Sequence, residues 1–211
     1  MSGAASGARQ RALRLVGWHG HVNAVQAPAP LRHWLTGDGS LTAKLKRHAD
    51  SFRVQCLHQR TARCLADEAA VIGLHGAGRV WEREVLLRCD NTPVVFAHTV
   101  VPTSANATDW PLFSALGERS LGTTLFGDPI VQRGPLAYAR LRASHPLAMR
   151  ARAALAQHGL DAHGHEQLLY ARRCLYRRRQ GLLLVTEVFL PPVLALARAG
   201  AIDTLTNRSS Q

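Results

Sequence analysis

"WEREVLLRCDNTPVVFAHTVVP", residues 81–102, reads as two strands joined by a tight turn. Side chains alternate between faces along a strand, so Trp81, Arg83, Val85, Leu87 and Cys89 share one side. Glu82, Glu84 and Arg88 fall on the other side, together with Leu86. "CDNTP" supplies the turn chemistry, and the pattern predicts an antiparallel hairpin with strands over 81–88 and 94–101. One residue does not fit. Arg83 stands in the middle of the apolar face, although polar positions stand free on either side of it.

A second hairpin carries a matching anomaly. "LLYARRCLYR" and "GLLLVTEVFLP" are two strands turned by "RRQG". In the second of them Leu183, Val185, Glu187 and Phe189 lie on one face, and Leu182, Leu184, Val188 and Leu190 on the other with Thr186. Both faces are apolar, so this strand is expected at the centre of a sheet covered on two sides. An isolated buried carboxylate costs several kcal/mol unless protonated or paired, and Glu187 stands in the middle of that strand. Two readings are open. Arg83 and Glu187 form a buried ion pair that fixes sheet register, or they mark a closed apolar pocket with a carboxylate-binding fork and a proton-handling group at opposite ends.

The remaining segments frame these hairpins. "PLRHWLTGDGSLTAKLKRHADSFRVQCLHQ" gives a short helix holding Leu31, Trp34 and Leu35 and ended by Gly37. A second helix, capped by Ser40 or Asp38, runs from Leu41 to about Ala49, and a half-buried strand follows in "SFRVQCLH". "TDWPLFSALGERSLGTTLFGDP" gives two short helical pieces, and "IVQRGPLAYARLRA" a weak strand pair or a strand-like stretch. "HPLAMRARAALAQHGL" is helical, with Pro146 in the first turn and Gly159 past the end. Paired strands with segregated helices predict an α+β fold, and 211 residues suit a single domain with an antiparallel sheet and flanking helices. Residues 1–30 read as a loose basic N-terminal arm, 31–196 as the folded domain and 197–211 as a C-terminal tail.

The net charge is +12, and of the 26 basic residues only Lys44 and Lys46 are lysines. The densest patch, Arg172, Arg173, Arg177, Arg178 and Arg179, falls at an expected hairpin turn and reads first as a solvated turn and flanking strand. A positive field that steers a small acidic substrate comes second, and nucleic acid third. No helix-turn-helix, zinc finger or aromatic RNA-binding motif accompanies the patch, so no specific nucleic-acid role is expected. No run approaches the ~18 apolar residues of a membrane span. The Arg-rich, acid-poor N-terminus raises a transit peptide, but the cytoplasm is the expected compartment. Cys56, Cys64, Cys89 and Cys174 lack CxxC spacing and read as reduced thiols. His19/His21 and His163/His165 have HxH spacing, each pair flanking a Gly in a polar, loop-like segment, so they read as surface histidines and no metal site is expected.

"WEREVLL" with "TVVP", then "SLGTTLF", then "LLLVTEVFLP" resemble, in order and approximate spacing, the chorismate pyruvate-lyase family, from about residue 31 to residue 196. "GSLTAKL" at 39–45 is similar to the family's early helix. The resemblance implies an antiparallel sheet whose flanking helices bury the ligand, and conversion of chorismate to 4-hydroxybenzoate and pyruvate for ubiquinone synthesis, without metal or organic cofactor. It places the ring-carboxylate arginine on Arg83 and the glutamate at the 4-oxygen on Glu187. Contacts through backbone or apolar atoms fall on Leu41 and Leu121, Leu41 replacing a common Met. The segment from about 143 to 169 is longer than the family pattern. A monomer is expected. The rival class is a ligand-sensing effector domain of the same fold, found in transcription regulators; no DNA-binding unit of ~60–70 residues precedes residue 31.

Overall fold

The computed structural model describes residues 16–37, 39–105, 108–111, 113–160 and 168–196. Six strands form one sheet: β1 (Phe52–Arg63), β2 (Arg79–Cys89), β3 (Thr92–Pro102), β4 (Gln132–Leu141), β5 (Leu169–Arg178) and β6 (Gly181–Phe189). Their order is β1-β2-β3-β6-β5-β4, and all neighbours pair antiparallel. Both hairpins are present where the alternation places them. Asp90 and Asn91 take φ of 47° and 62°, the left-handed pair that a two-residue turn between twisted strands demands. β6 lies between β3 and β5, as its two apolar faces require.

Among the described residues, the sheet is flanked by helices α1 (Ala29–Leu35), α2 (Leu41–Lys46), α3 (Leu121–Gly127) and α4 (Pro146–Ala156). The Ser40 hydroxyl caps α2 by accepting from the Ala43 N–H, and His145 Nδ1 caps α4 by accepting from Leu147 N–H. The segment expected as a first helical piece after Thr108 forms turns instead, since Pro111 and Gly117 interrupt it.

One face of the sheet packs under α1, α2 and α3 through Trp34, Leu35, Leu45, Leu125 and Phe113. The other packs under α4 and residues 64–74, with Leu86, Phe96, Ala148, Ala151 and Val188 at its centre. The arm expected over 1–30 is docked from residue 16 onward. Trp18 stacks on Arg173 and donates to Asp67, His19 bridges to Tyr138, and Val25 and Ala27 are buried. Residues 1–15, the His163/His165 pair and the 197–211 tail lie outside the described residues.

The face carrying Glu82 and Glu84 is not an open polar face. Both are buried, and α4 covers them. Arg150 of α4 bridges the two carboxylates, at 2.9 Å to Glu82 and 2.6 Å to Glu84. His98 of β3 lies 3.0 Å from Glu84 and 3.0 Å from Glu68. His58, Glu82 and Glu84 are near enough to share a cation, but Arg150 already fills that role between the carboxylates. Burial alone lowers the pKa of His98, yet Glu68 and Glu84 overcome it and hold it at about 10. Burial likewise opposes ionisation of Glu84, while His98 and Arg150 bring its pKa down to about 2.

The signs of the two effects are opposite. The raised His98 pKa contributes stability that is complete below about 6.5 and is lost as pH climbs toward about 10. The depressed Glu84 pKa contributes stability that is complete above about 4.5 and is lost as pH falls toward about 2. Melting temperatures measured from pH 6.5 to 9.5 are therefore expected to fall more steeply in the wild type than in His98→Gln. Parallel curves would show that His98 is not charged in the fold.

Candidate active site

Arg83 and Glu187 line one cavity, on the sheet face under α2 and α3. Strand register explains the meeting. Arg83 sits opposite Thr99, which sits opposite Val185, two residues before Glu187 on β6. The two side chains therefore start two strand spacings apart, about 10 Å across the sheet, and on the same face. Leu41 at the start of α2 and Leu121 at the start of α3 line the same cavity. The two helix starts are tied across it by a 2.8 Å hydrogen bond between Thr42 Oγ1 and Ser120 Oγ. The cavity holds about 60 Å³, well under the roughly 300 Å³ of a ligand pocket.

Arg83 is 2 % exposed, and its Nη2 donates to the carbonyls of Gly117 and Arg119 at 2.8 and 3.0 Å. Its Nε is buried with no hydrogen-bond partner among the described residues. Burial pushes its pKa below the ordinary arginine value. The Arg83–Glu187 ion pair considered from the sequence does not form. Among the described residues no carboxylate pairs with Arg83, and an unsatisfied buried donor of this kind costs roughly 1–3 kcal/mol. A ligand carboxylate would remove that cost.

Glu187 has a different partner. Arg172, directly opposite on β5, donates from Nε to Glu187 Oε2 at 2.5 Å. Arg172 Nη1 also donates to the carbonyls of Trp34 and Leu35 at the C-terminal end of α1, where a cation suits the helix dipole. Only 3 % of Arg172 is exposed, and it lines the cavity.

This overturns the reading of the basic patch as a solvated turn. Arg172 is a cavity residue. Arg173 packs on Trp18 and donates to the Asp67 carbonyl. Arg178 pairs with Asp128 at 2.7 Å and donates to the carbonyls of Thr108 and Asp109. That contact is close: a Cβ on Gly181 would stand 2.6 Å from the Asp109 Cβ, so only glycine fits there. Arg177 and Arg179 are the exposed members. Arg172 was within reach of the sequence, because a turn at Arg179–Gln180 pairs 172 with 187.

Arg133 of β4 is the third arginine in the cavity, opposite Tyr176 on β5. Glu187 is the single acidic residue lining it among the described residues. The cavity thus combines three guanidinium groups, one carboxylate, the Tyr176 ring and the aliphatic walls Val54, Val85, Leu87 and Val185. All four cysteines are free thiols, and the Cys174 thiol reaches this cavity.

A family model described as chorismate lyase matches residues 12–199. A probable chorismate pyruvate-lyase of Cupriavidus pinatubonensis is 46 % identical over 188 residues, 89 % of this chain and 94 % of the relative. A second, from Nitrosomonas eutropha, is 43 % identical over 173 residues, 82 % of this chain and 93 % of the relative. Among solved structures, the effector domain of PhnF from Mycobacterium smegmatis aligns with a TM-score of 0.53 at 16 % identity, over 74 % of this chain and 91 % of that domain. That likeness concerns the fold alone.

Proposed function

Because the chain belongs to the chorismate lyase family, we propose that it converts chorismate to 4-hydroxybenzoate and pyruvate, the entry step of ubiquinone synthesis, in the cytoplasm and without a metal or organic cofactor. No helix among the described residues is long and apolar enough to cross a membrane. The observation that carries the reading is Arg83, a buried cavity arginine with no carboxylate partner of its own and one donor unsatisfied.

In this reading Arg83 takes the ring carboxylate. The Arg172–Glu187 pair lies toward the 4-oxygen end, and Glu187, held by a guanidinium, acts as an acceptor for the 4-hydroxyl. The bond between ring C3 and the ether oxygen breaks, and its electrons leave with the enolpyruvyl oxygen. The C4 hydrogen is lost, its bonding pair completes the aromatic ring, and a proton reaches the side-chain methylene to give pyruvate. Aromatisation supplies the drive. The protein's contribution is to hold the side chain in a reactive conformer and to keep water out. Product keeps the two oxygen groups that the site grips, so release waits on the parting of α2 and α3 near Leu41 and Leu121.

Purified protein mixed with chorismate is expected to give 4-hydroxybenzoate and pyruvate in equal amounts, at a rate unchanged by chelator. Ultraviolet absorbance with a coupled pyruvate assay reads both products. Stable chorismate alongside tight 4-hydroxybenzoate binding would move the reading to a ligand sensor.

A further inference from the structure

We propose that the loop joining α3 to β4, with the β5–β6 turn beside it, forms a docking surface for an anionic lipid bilayer. The surface lies outside the cavity and does not depend on which ligand the cavity holds.

Folding hides most large apolar side chains, and those left exposed together mark an interaction surface. In "FGDPI", residues 126–130, Phe126, Pro129 and Ile130 are exposed, Phe126 and Ile130 by 46 % and 47 %. The other large exposed apolar residues among the described ones stand singly: Trp81 on β2, Met149 on α4 and Leu168 just before β5. The loop is pinned in place. Asp128 accepts from the Ile130 N–H at 2.9 Å and from Arg178 Nε at 2.7 Å. The Phe126 ring lies 5.6 Å over the Arg133 guanidinium. These contacts fix the loop and still leave Phe126 and Ile130 half in water.

Cations flank the loop on both sides. Arg177 and Arg179, the neighbours of Arg178 at the β5–β6 turn, are exposed. Gln132, two residues past Ile130, is opposite Arg177 in the sheet, so loop and turn stand at the same end of β4 and β5. On the other flank an open groove runs past Gly127 and Pro129, lined by Lys46, Arg53 and Arg119 with Glu118. Arg178 neutralises Asp128, the acidic residue of the loop itself. The flanks therefore carry five cations, Lys46, Arg53, Arg119, Arg177 and Arg179, against Glu118.

This combination selects the partner. Nucleic acid would engage the arginines and leave Phe126, Pro129 and Ile130 without a role. A stable protein interface needs about 800 Å² on each partner, far more apolar surface than three side chains on one loop supply. A bilayer uses both features. Apolar tips seat at the boundary of headgroups and acyl chains, and each Lys or Arg near an anionic surface strengthens binding about fivefold. Since the loop follows α3, whose first residue Leu121 lines the cavity, docking would hold the cavity beside the membrane.

Co-sedimentation with vesicles tests this, using phosphatidylcholine alone and phosphatidylcholine mixed with phosphatidylglycerol. The full chain at about 0.1 M salt is expected to sediment with the mixed vesicles and to stay in solution with phosphatidylcholine. Phe126→Ser/Ile130→Ser keeps the net charge and should weaken binding at least about tenfold. Arg177→Ser/Arg179→Ser should weaken it by a similar factor. A net charge of +12 attracts any acidic surface, so a control is needed. Arg140→Ser/Arg142→Ser removes the same charge near the other end of β4 and should cost less than about threefold, because salt screens distant charges. Melting temperatures show whether each variant folds. Should Phe126→Ser/Ile130→Ser not fold, Ile130→Ser alone decides, with an expected loss of severalfold. No preference for the mixed vesicles, undiminished binding of the apolar variant, or an equal loss in the control pair overturns the surface. Tighter binding to duplex DNA than to vesicles, lost in Arg177→Ser/Arg179→Ser, overturns it as well and assigns the arginines to nucleic acid.

Discussion

Arg83→Lys is expected to fold, to melt near the wild-type temperature without ligand, and to bind 4-hydroxybenzoate about 10- to 150-fold more weakly, or about 1.5–3 kcal/mol. The physical reason lies in how the guanidinium is shared. Nη2 donates to the carbonyls of Gly117 and Arg119, and Nε is buried with no hydrogen-bond partner among the described residues. A lysine has one nitrogen and cannot both anchor the 117–119 loop and grip a carboxylate. Among the described residues no carboxylate pairs with Arg83, and Glu187 is paired with Arg172, so the substitution strands none of them. Thermal shifts read the effect directly, since a ligand that binds only the folded state raises its melting temperature in proportion to log affinity. Equal ligand-induced shifts in the two proteins would remove Arg83 from the site. If turnover falls further than affinity, the arginine also sets the reactive pose.

Arg172→Met should behave in the opposite way, costing stability first. It leaves the Glu187 carboxylate beside apolar neighbours and frees the terminal carbonyls of α1. Breaking a buried pair by removing one partner costs about 3–5 kcal/mol, and the low end applies because the Glu187 side chain keeps 20 % exposure. Glu187→Gln keeps the shape and removes the charge, and it should slow turnover with a smaller loss of stability. The double variant Arg172→Met/Glu187→Gln should regain much of the lost stability without regaining turnover. Denaturant midpoints give the coupling energy and single-turnover kinetics give the chemistry. Additive stability losses would show that the two residues act independently, and a fully active Arg172→Met would exclude the pair from catalysis.

The two arginines differ in how they could be seen beforehand. Arg83 breaks a clean alternation of apolar residues, so a period of two exposes it as an anomaly. Arg172 sits in a run with Arg173, Arg177, Arg178 and Arg179, where every basic residue looks alike in one dimension. Glu82 and Glu84 misled in the converse sense. They occupy regular polar positions on β2, yet Arg150 from α4 and His98 from β3 bury and pair them.

What the sequence determined by itself was local: the strands, the Asp90–Asn91 turn, the central place of β6, and the two charges on apolar faces, Arg83 and Glu187. These follow from side-chain alternation and turn chemistry, which act within a few residues. Which charge neutralises which was decided only by the tertiary structure. Register placed Arg172 rather than Arg83 against Glu187, α1 closed over Arg172, and α4 turned a polar face into an interior. Pairing and burial depend on what packs above the sheet, and the covering helices come from segments far away along the chain.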